Sequence, residues 1–278
     1  MAFGDALITL SVLERAREQG AQFNIIGTGL TRQVSEQMRF PLPIHSILPD
    51  KAAFNTVKER GVLAAVRDLG LAWWRLGRQT NPGDMLVFER DGIRNRLLVW
   101  PGRQGCYTPT GRSVYEDRRI LLESLLGVQC PWPSLRLPQH SVRRVVINPC
   151  ARYRERWLSS KVIDNVVLLA KERCWKITLI DPCGQYLQYS GRVDTYLAKP
   201  KLADAVQALL AGDLYIGPDS FFVHLAYYFN IPHFGFFQPG HLVFQPPGMR
   251  ETGNWLAFDQ VEKYQMLANG VDGYLGYV

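Results

Sequence analysis

From residue 142 onward, short apolar runs alternate with amphipathic stretches. Val145-Val146-Ile147, residues 175–180, residues 214–216 and His233–Phe237 are each bounded by Gly, Pro or Asp, which predicts buried strands. Between them, residues 159–173 and the set Leu202, Val206, Leu209 and Leu210 repeat at helical spacing. Asp219 and Ser220 are good N-cap residues and predict a helix over 221–229. Gly212 stands where a helix takes a left-handed C′ residue, and Asn230 can take the same role. Strands and helices joined this tightly form a parallel α/β unit, and such sheets bind ligands outside the carboxyl ends of their strands. The loop 217–220 lies at one such end. Gly217 would let a ligand approach the backbone there, beside the first amides of the next helix.

The first half keeps the rhythm less sharply. Leu7, Leu10, Leu13 and Ala16 predict a helix closed by Gly20. Residues 23–26 predict a strand that runs through Gly27-Thr28-Gly29 into a helix over 30–38. That turn lacks the spacing of a dinucleotide fingerprint and reads as a plain strand-to-helix turn. Ile44–Leu48 predicts another strand. Residues 52–78 predict a long helix with Val62, Leu63, Val66, Leu69, Trp73 and Leu76 toward the core and Arg67, Arg75 and Arg78 toward the other face. Trp73-Trp74-Arg75 also suits a membrane interface. Met85–Phe88 and residues 97–100 predict strands about an Asp91-Gly92 turn, 103–110 a loop, and Val114–Leu126 a helix closed by Gly127.

Pro131, Pro133 and Pro138 stiffen a linker. The chain therefore divides into a domain at 1–130, a linker at 131–141 and a second domain at 142–278. In the second, Asp259 predicts the cap of a final helix over 260–267.

Composition narrows the class. The 278 residues are 47% hydrophobic and 21% charged, as in a soluble globular protein. The net charge of +7 is spread without lysine-rich tracts, which points away from nucleic acid and toward anionic small molecules or an anionic lipid surface. Five cysteines, at 106, 130, 150, 174 and 183, are odd in number and lack a C-x-x-C spacing. That argues against a secreted disulfide scaffold and for a reducing, cytoplasmic setting. No export signal opens the chain, and no apolar stretch approaches the roughly 18 residues of a membrane span.

Candidate chemistry gathers in two loops. After the strand at 145–147, Arg152, Arg154 and Arg156 precede a helix, and forked guanidinium donors beside helix-end amides suit a pyrophosphate. After the strand at 214–216 come Gly217, Asp219 and Ser220, with His224 one turn into the helix. Asp219 can accept hydrogen bonds from sugar hydroxyls or cap the helix. No Gly-x-Ser-x-Gly, P-loop, Asp-x-Asp or paired zinc-ligand spacing occurs.

The runs Leu209-Leu210-Ala211, Ile216-Gly217-Pro218-Asp219-Ser220, His224-Leu225-Ala226 and Ile231-Pro232 together resemble the C-terminal signature of glycosyltransferase family 9, the heptosyltransferase type. That family carries a D-S-G-P-x-H core there, and Phe221 and Phe222 stand in place of its Gly and Pro. Gly4-Asp5-Ala6-Leu7 resembles the family's G-D-x-aliphatic loop, whose Asp is its proposed catalytic base. Arg156-Trp157 resembles the basic residue before Trp-Pro, with Leu158 replacing the proline. The strand that precedes Gly-Asp in the family is missing here, so either the natural start lies upstream or the first sheet has lost that strand.

The resemblance implies a GT-B fold, two Rossmann-like domains with parallel sheets facing a cleft. It implies Asp5 as base on an acceptor hydroxyl. It also implies Arg152, Arg154, Arg156, Gly217, Asp219, Ser220 and His224 around a nucleotide-diphosphate sugar. It points to ADP-heptose as donor and a lipopolysaccharide core or other surface glycan as acceptor, with no metal and no cofactor. Peripheral contact with the inner membrane fits the same reading. Two alternatives are a nucleotide-sugar epimerase on the same fold and a non-catalytic relative; the missing strand and Phe221-Phe222 favour the latter.

Overall fold

The computed structural model describes residues 3–40, 43–48, 61–81, 84–88, 96, 98–99, 104–107, 113–132 and 141–276. The chain forms two compact units, residues 1–131 and 132–278. The linker at 133–140, the Asp91-Gly92 turn and the first turns of the helix predicted over 52–78 lie outside the described residues.

In the first unit, α1 (Phe3–Glu18) buries Leu7, Leu10 and Ala16 of the repeat that predicts it, with Leu13 half-buried and Ala6 buried beside them. β1 (Ile25–Thr28) leads directly into α2 (Gly29–Met38), and β1 pairs in parallel with β2 (Ile44–Leu48). Thr28 caps α2: its hydroxyl accepts the Thr31 amide at 3.2 Å, so this turn is used for capping. α3 (Val62–Gln79) and α4 (Val114–Leu126) follow the predicted helices, and Gly127 closes α4 in the left-handed conformation at φ 65°. α1 packs against α2 and α4.

Two expectations fail in this unit. Leu98 and Val99 are helical, and the strand that pairs with β3 (Met85–Phe88) is β4 (Gln104–Tyr107), inside the predicted loop. Leu98 instead joins Ala72, Leu76 and Leu86 in a small core, so tertiary packing overrode its strand preference. α3 also turns inward only one edge of its predicted face, Leu69 and Leu76. Asp68, Ala72 and Leu76 are buried, whereas Val62, Leu63, Val66, Trp73 and Trp74 are exposed, Leu63 by 88%. Periodicity marks the apolar stripe but not how much of it the neighbouring elements cover.

The second unit holds six parallel strands: β5 (Arg144–Ile147), β6 (Lys176–Asp181), β7 (Thr195–Ala198), β8 (Leu214–Pro218), β9 (His233–Phe237) and β10 (Trp255–Ala257). Their order in the sheet is β7-β6-β5-β8-β9-β10. Counted within the unit this is 3-2-1-4-5-6, the doubly wound Rossmann order, with its switch point between β5 and β8. The helices are α5 (Ser160–Glu172), α6 (Leu202–Leu210), α7 (Phe221–Tyr228), α8 (Met249–Thr252) and α9 (Tyr264–Leu275).

Alternation along the strands builds the core. Val145, Ile147, Leu214, Ile216, Phe234 and Phe236 pack with Val162, Ile163 and Val166 of α5 and Leu267 and Val271 of α9. Each fully buried side chain of this size contributes roughly 1.5–3 kcal/mol. Central strands covered on both faces read as unbroken apolar runs, which is why β5, β8 and β9 are plain in the sequence.

The edge strands β7 and β10 are only partly buried, carry no such run, and were not expected. The last helix starts at Tyr264, because residues after Asp259 form turns first, and α9 rests on α5. Gly212 does not take a left-handed conformation; a Cβ there would meet Val146 at 2.5 Å, so close packing on β5 requires the glycine. Asn230 does adopt φ 54°.

Candidate active site

Three loops converge at the carboxyl ends of β5, β8 and β9. The β5 loop begins with Asn148, whose side chain holds both the amide and the carbonyl of Cys150 and reaches Ser220 Oγ at 3.3 Å. The Leu158 amide donates to the Pro149 carbonyl and closes this loop, and Trp157 Nε1 donates to Ala151 O at 2.7 Å. Gln238, after β9, donates to the carbonyl of Glu155 and ties the third loop to the first.

Arg156 Nη1 donates to Asp219 Oδ2 at 2.7 Å; the carboxylate is buried and the guanidinium largely so. Asp219 therefore serves the loop opposite rather than acting only as a helix cap. His224 lies on the first turn of α7, where side chains lean toward the helix N-terminus, and its Nε2 comes within 3.7 Å of Asp219 Oδ1. His241, which the sequence did not single out for this site, brings Nδ1 within 3.5 Å of Asp219 Oδ2 from the β9 loop. Burial alone would raise the Asp219 pKa, but the neighbouring His224 and Arg156 outweigh it and hold the carboxyl below its usual range. Arg156 Nε and His241 Nδ1 are buried without hydrogen-bond partners among the described residues.

Arg152 and Arg154 are exposed on the same loop. Arg152 and Arg156 both lie over the Tyr153 ring, at 5.2 and 5.0 Å, and Arg154 lies over Trp157. Ser220 precedes α7 but makes no capping bond; its hydroxyl faces Asn148 and the buried Tyr215 hydroxyl instead. The first amides of α7 thus gain nothing from Ser220. A Cβ on Gly217 would fall 2.7 Å from the Asn148 carbonyl and collide with the Tyr215 hydroxyl. Internal packing by itself requires the glycine. Phe222 is buried, and Phe221, half-buried, meets it edge to face.

Asp5 belongs to the first unit. Its carbonyl accepts Thr9 Oγ1 and Arg118 Nη1, at 3.0 and 2.9 Å, and its carboxylate lies 4.0 Å from Arg118 Nη2. The cysteine expectation needs correction: Cys150 and Cys183 are joined as a disulfide across 33 positions. Spacing along the chain gave no sign of it, because the β5 and β6 loops meet only in the folded sheet.

His233, behind the site, is buried, and burial pushes its pKa from 6.5 down to about 4. Its Nδ1 donates to the Ile231 carbonyl at 2.9 Å, which fixes the neutral tautomer. The unfolded chain takes up this proton near pH 6.5 and the folded chain only near 4, so stability falls as pH drops through that window. The expected loss is at most ~3 kcal/mol. Denaturant titrations at several pH values should show it, with a flatter slope in His233→Gln; an equal slope in both proteins would assign the effect to other groups.

The strand order is that of a Rossmann-like domain, and the whole chain has the GT-B type fold of glycosyltransferases. Over its full length it is similar to Escherichia coli heptosyltransferase WaaC with ADP, at TM-score 0.67 and 15% identity, covering 97% of that chain. WaaC with ADP-2-deoxy-2-fluoro heptose gives the same TM-score at 14% identity. A glycosyl transferase family 9 structure from Veillonella parvula matches at 0.65 and 11%, covering 95% of that chain. No protein-family model and no curated protein matches the chain.

Proposed function

We propose that this protein transfers a sugar, a heptose by its resemblance, from a nucleotide-diphosphate donor to a hydroxyl of a lipopolysaccharide core or other surface glycan. The observation that carries the reading is the Arg156–Asp219 pair at the switch point, with Arg156 Nε still unpartnered and exposed Arg152 and Arg154 beside it. Guanidinium groups and the α7 amides at the helix end stabilise the departing diphosphate, so the charge that develops meets fixed donors. Asp219 and His224 hold sugar hydroxyls. Asp5, in the first unit, accepts the proton of the attacking hydroxyl.

ADP bound to WaaC, and the ADP-heptose analogue in its second complex, support adenine as the base and heptose as the sugar. The reading assigns the chemistry to these side chains without a cofactor or metal at the reacting centre. Exposed Leu63, Val66, Trp73 and Trp74 on α3, with Arg78 over the Trp74 ring at 4.5 Å, support contact with an anionic inner-membrane surface on the cytoplasmic side.

Nucleoside diphosphates are expected to stabilise the protein, ADP more than UDP or GDP, and each diphosphate more than its monophosphate. A hundredfold excess over Kd raises stability by about 2.7 kcal/mol, a shift of several degrees in a thermal scan. A flat response to every nucleotide would remove the transferase reading and leave a non-catalytic relative. Product analysis with and without a glycan acceptor separates transfer from epimerisation, which needs no acceptor.

A further inference from the structure

The carboxyl end of β6 carries a second cluster, outside the donor site. Asp181 is fully buried there. Its Oδ1 accepts the Gly184 amide at 2.7 Å, and its Oδ2 accepts the Tyr186 amide and the Tyr196 hydroxyl at 2.8 and 2.6 Å. The open side of Oδ1 faces Cys183 Sγ at 3.3 Å and Cys150 Sγ at 3.7 Å. We propose that, once the Cys150–Cys183 disulfide is reduced, Cys150, Cys183 and Asp181 form a binding site for a thiophilic divalent cation of the zinc type.

Charge points the same way. Three neutral donors hold the buried carboxylate, and among the described residues no side-chain cation pairs with it. Buried charges are ordinarily paired or bind a metal. Geometry agrees. Tetrahedral zinc with thiolate and carboxylate ligands sets sulfur-to-oxygen edges of about 3.5 Å, and the two observed separations straddle that value.

Only the sulfurs need to part, to about 3.8 Å, for an ion to sit between the three atoms. Cys183, partly exposed in a turn closed by Gly184 at φ +67°, supplies both the give and the route of entry. The amides and the Tyr196 hydroxyl fix the carboxylate as outer hydrogen bonds do in built metal sites. Water fills the fourth position.

The chemistry balances. A phosphine reductant and water convert the disulfide to two thiols and a phosphine oxide. The two thiols then bind the cation and release two protons. The site stands independently of the transferase reading.

The test uses the full chain, reduced without oxygen by a phosphine and titrated with Co²⁺ or Zn²⁺. Elemental analysis should find one ion per chain, and Co²⁺ should give a thiolate-to-metal charge-transfer band in the near ultraviolet. Unreduced protein should give neither. Cys183→Ser, at a partly exposed position that tolerates the change, should weaken Co²⁺ binding about 100-fold or more. Asp181→Asn should weaken it too, and circular dichroism checks its fold. The proposal is overturned if reduced protein shows no band, if the disulfide resists reduction in the folded chain, or if Cys183→Ser binds as tightly through Cys106, Cys130 or Cys174.

Discussion

Asp5→Asn is expected to lower sugar transfer by ~10²–10⁴-fold while the nucleotide-induced thermal shift stays as it was. The change keeps the shape of the side chain and the Thr9 and Arg118 bonds to the Asp5 carbonyl, so α1 stays anchored to α4. It removes the charge 4.0 Å from Arg118 and the capacity to take a proton. A purely structural Asp5 predicts the reverse pattern, a lower melting temperature with transfer largely kept. Single-turnover rates and melting curves on the same samples separate the two.

Arg156→Leu is expected to have the largest effect on stability. It leaves the Asp219 carboxylate buried without its strongest partner, and breaking a buried pair from one side costs about 3–5 kcal/mol. In a unit of this size that is a fall in Tm on the order of 10 °C. The double variant Arg156→Leu with Asp219→Leu should recover much of the loss, since no uncompensated charge remains. Both variants should lose the ADP shift. If the double variant is as unstable as the sum of the two single ones, the residues act separately and the pair does not organise the site.

The route from sequence to site was uneven, and the reasons are physical. β5, β8 and β9 were legible because a parallel strand buried on both faces must be apolar throughout, whatever else it touches. α5 was legible because the 3.6-residue period is a local property, and α7 because Asp219 and Ser220 mark its start, although Ser220 makes no capping bond. The edge strands β7 and β10 were not, since half-exposed residues satisfy no such rule. The buried side of α3 was only partly legible: the period marks its apolar stripe, but the neighbours decide which edge is covered, and they chose Asp68, Ala72 and Leu76.

By itself the sequence determined which loops hold the candidate residues, the arginine loop after β5 and the Asp219 loop after β8, because residue type and turn position are written locally. The tertiary structure decided what those residues do to one another. Arg156 meets Asp219 across 63 positions, His241 arrives from a third loop, Tyr215 and Asn148 occupy the space that makes Gly217 obligatory, and Asp181 lies beside two cysteines from different loops. Periodicity encodes which side of an element is buried but not which partner waits there. That choice is made when parallel strands distant in sequence come to lie side by side and bring their carboxyl-end loops together.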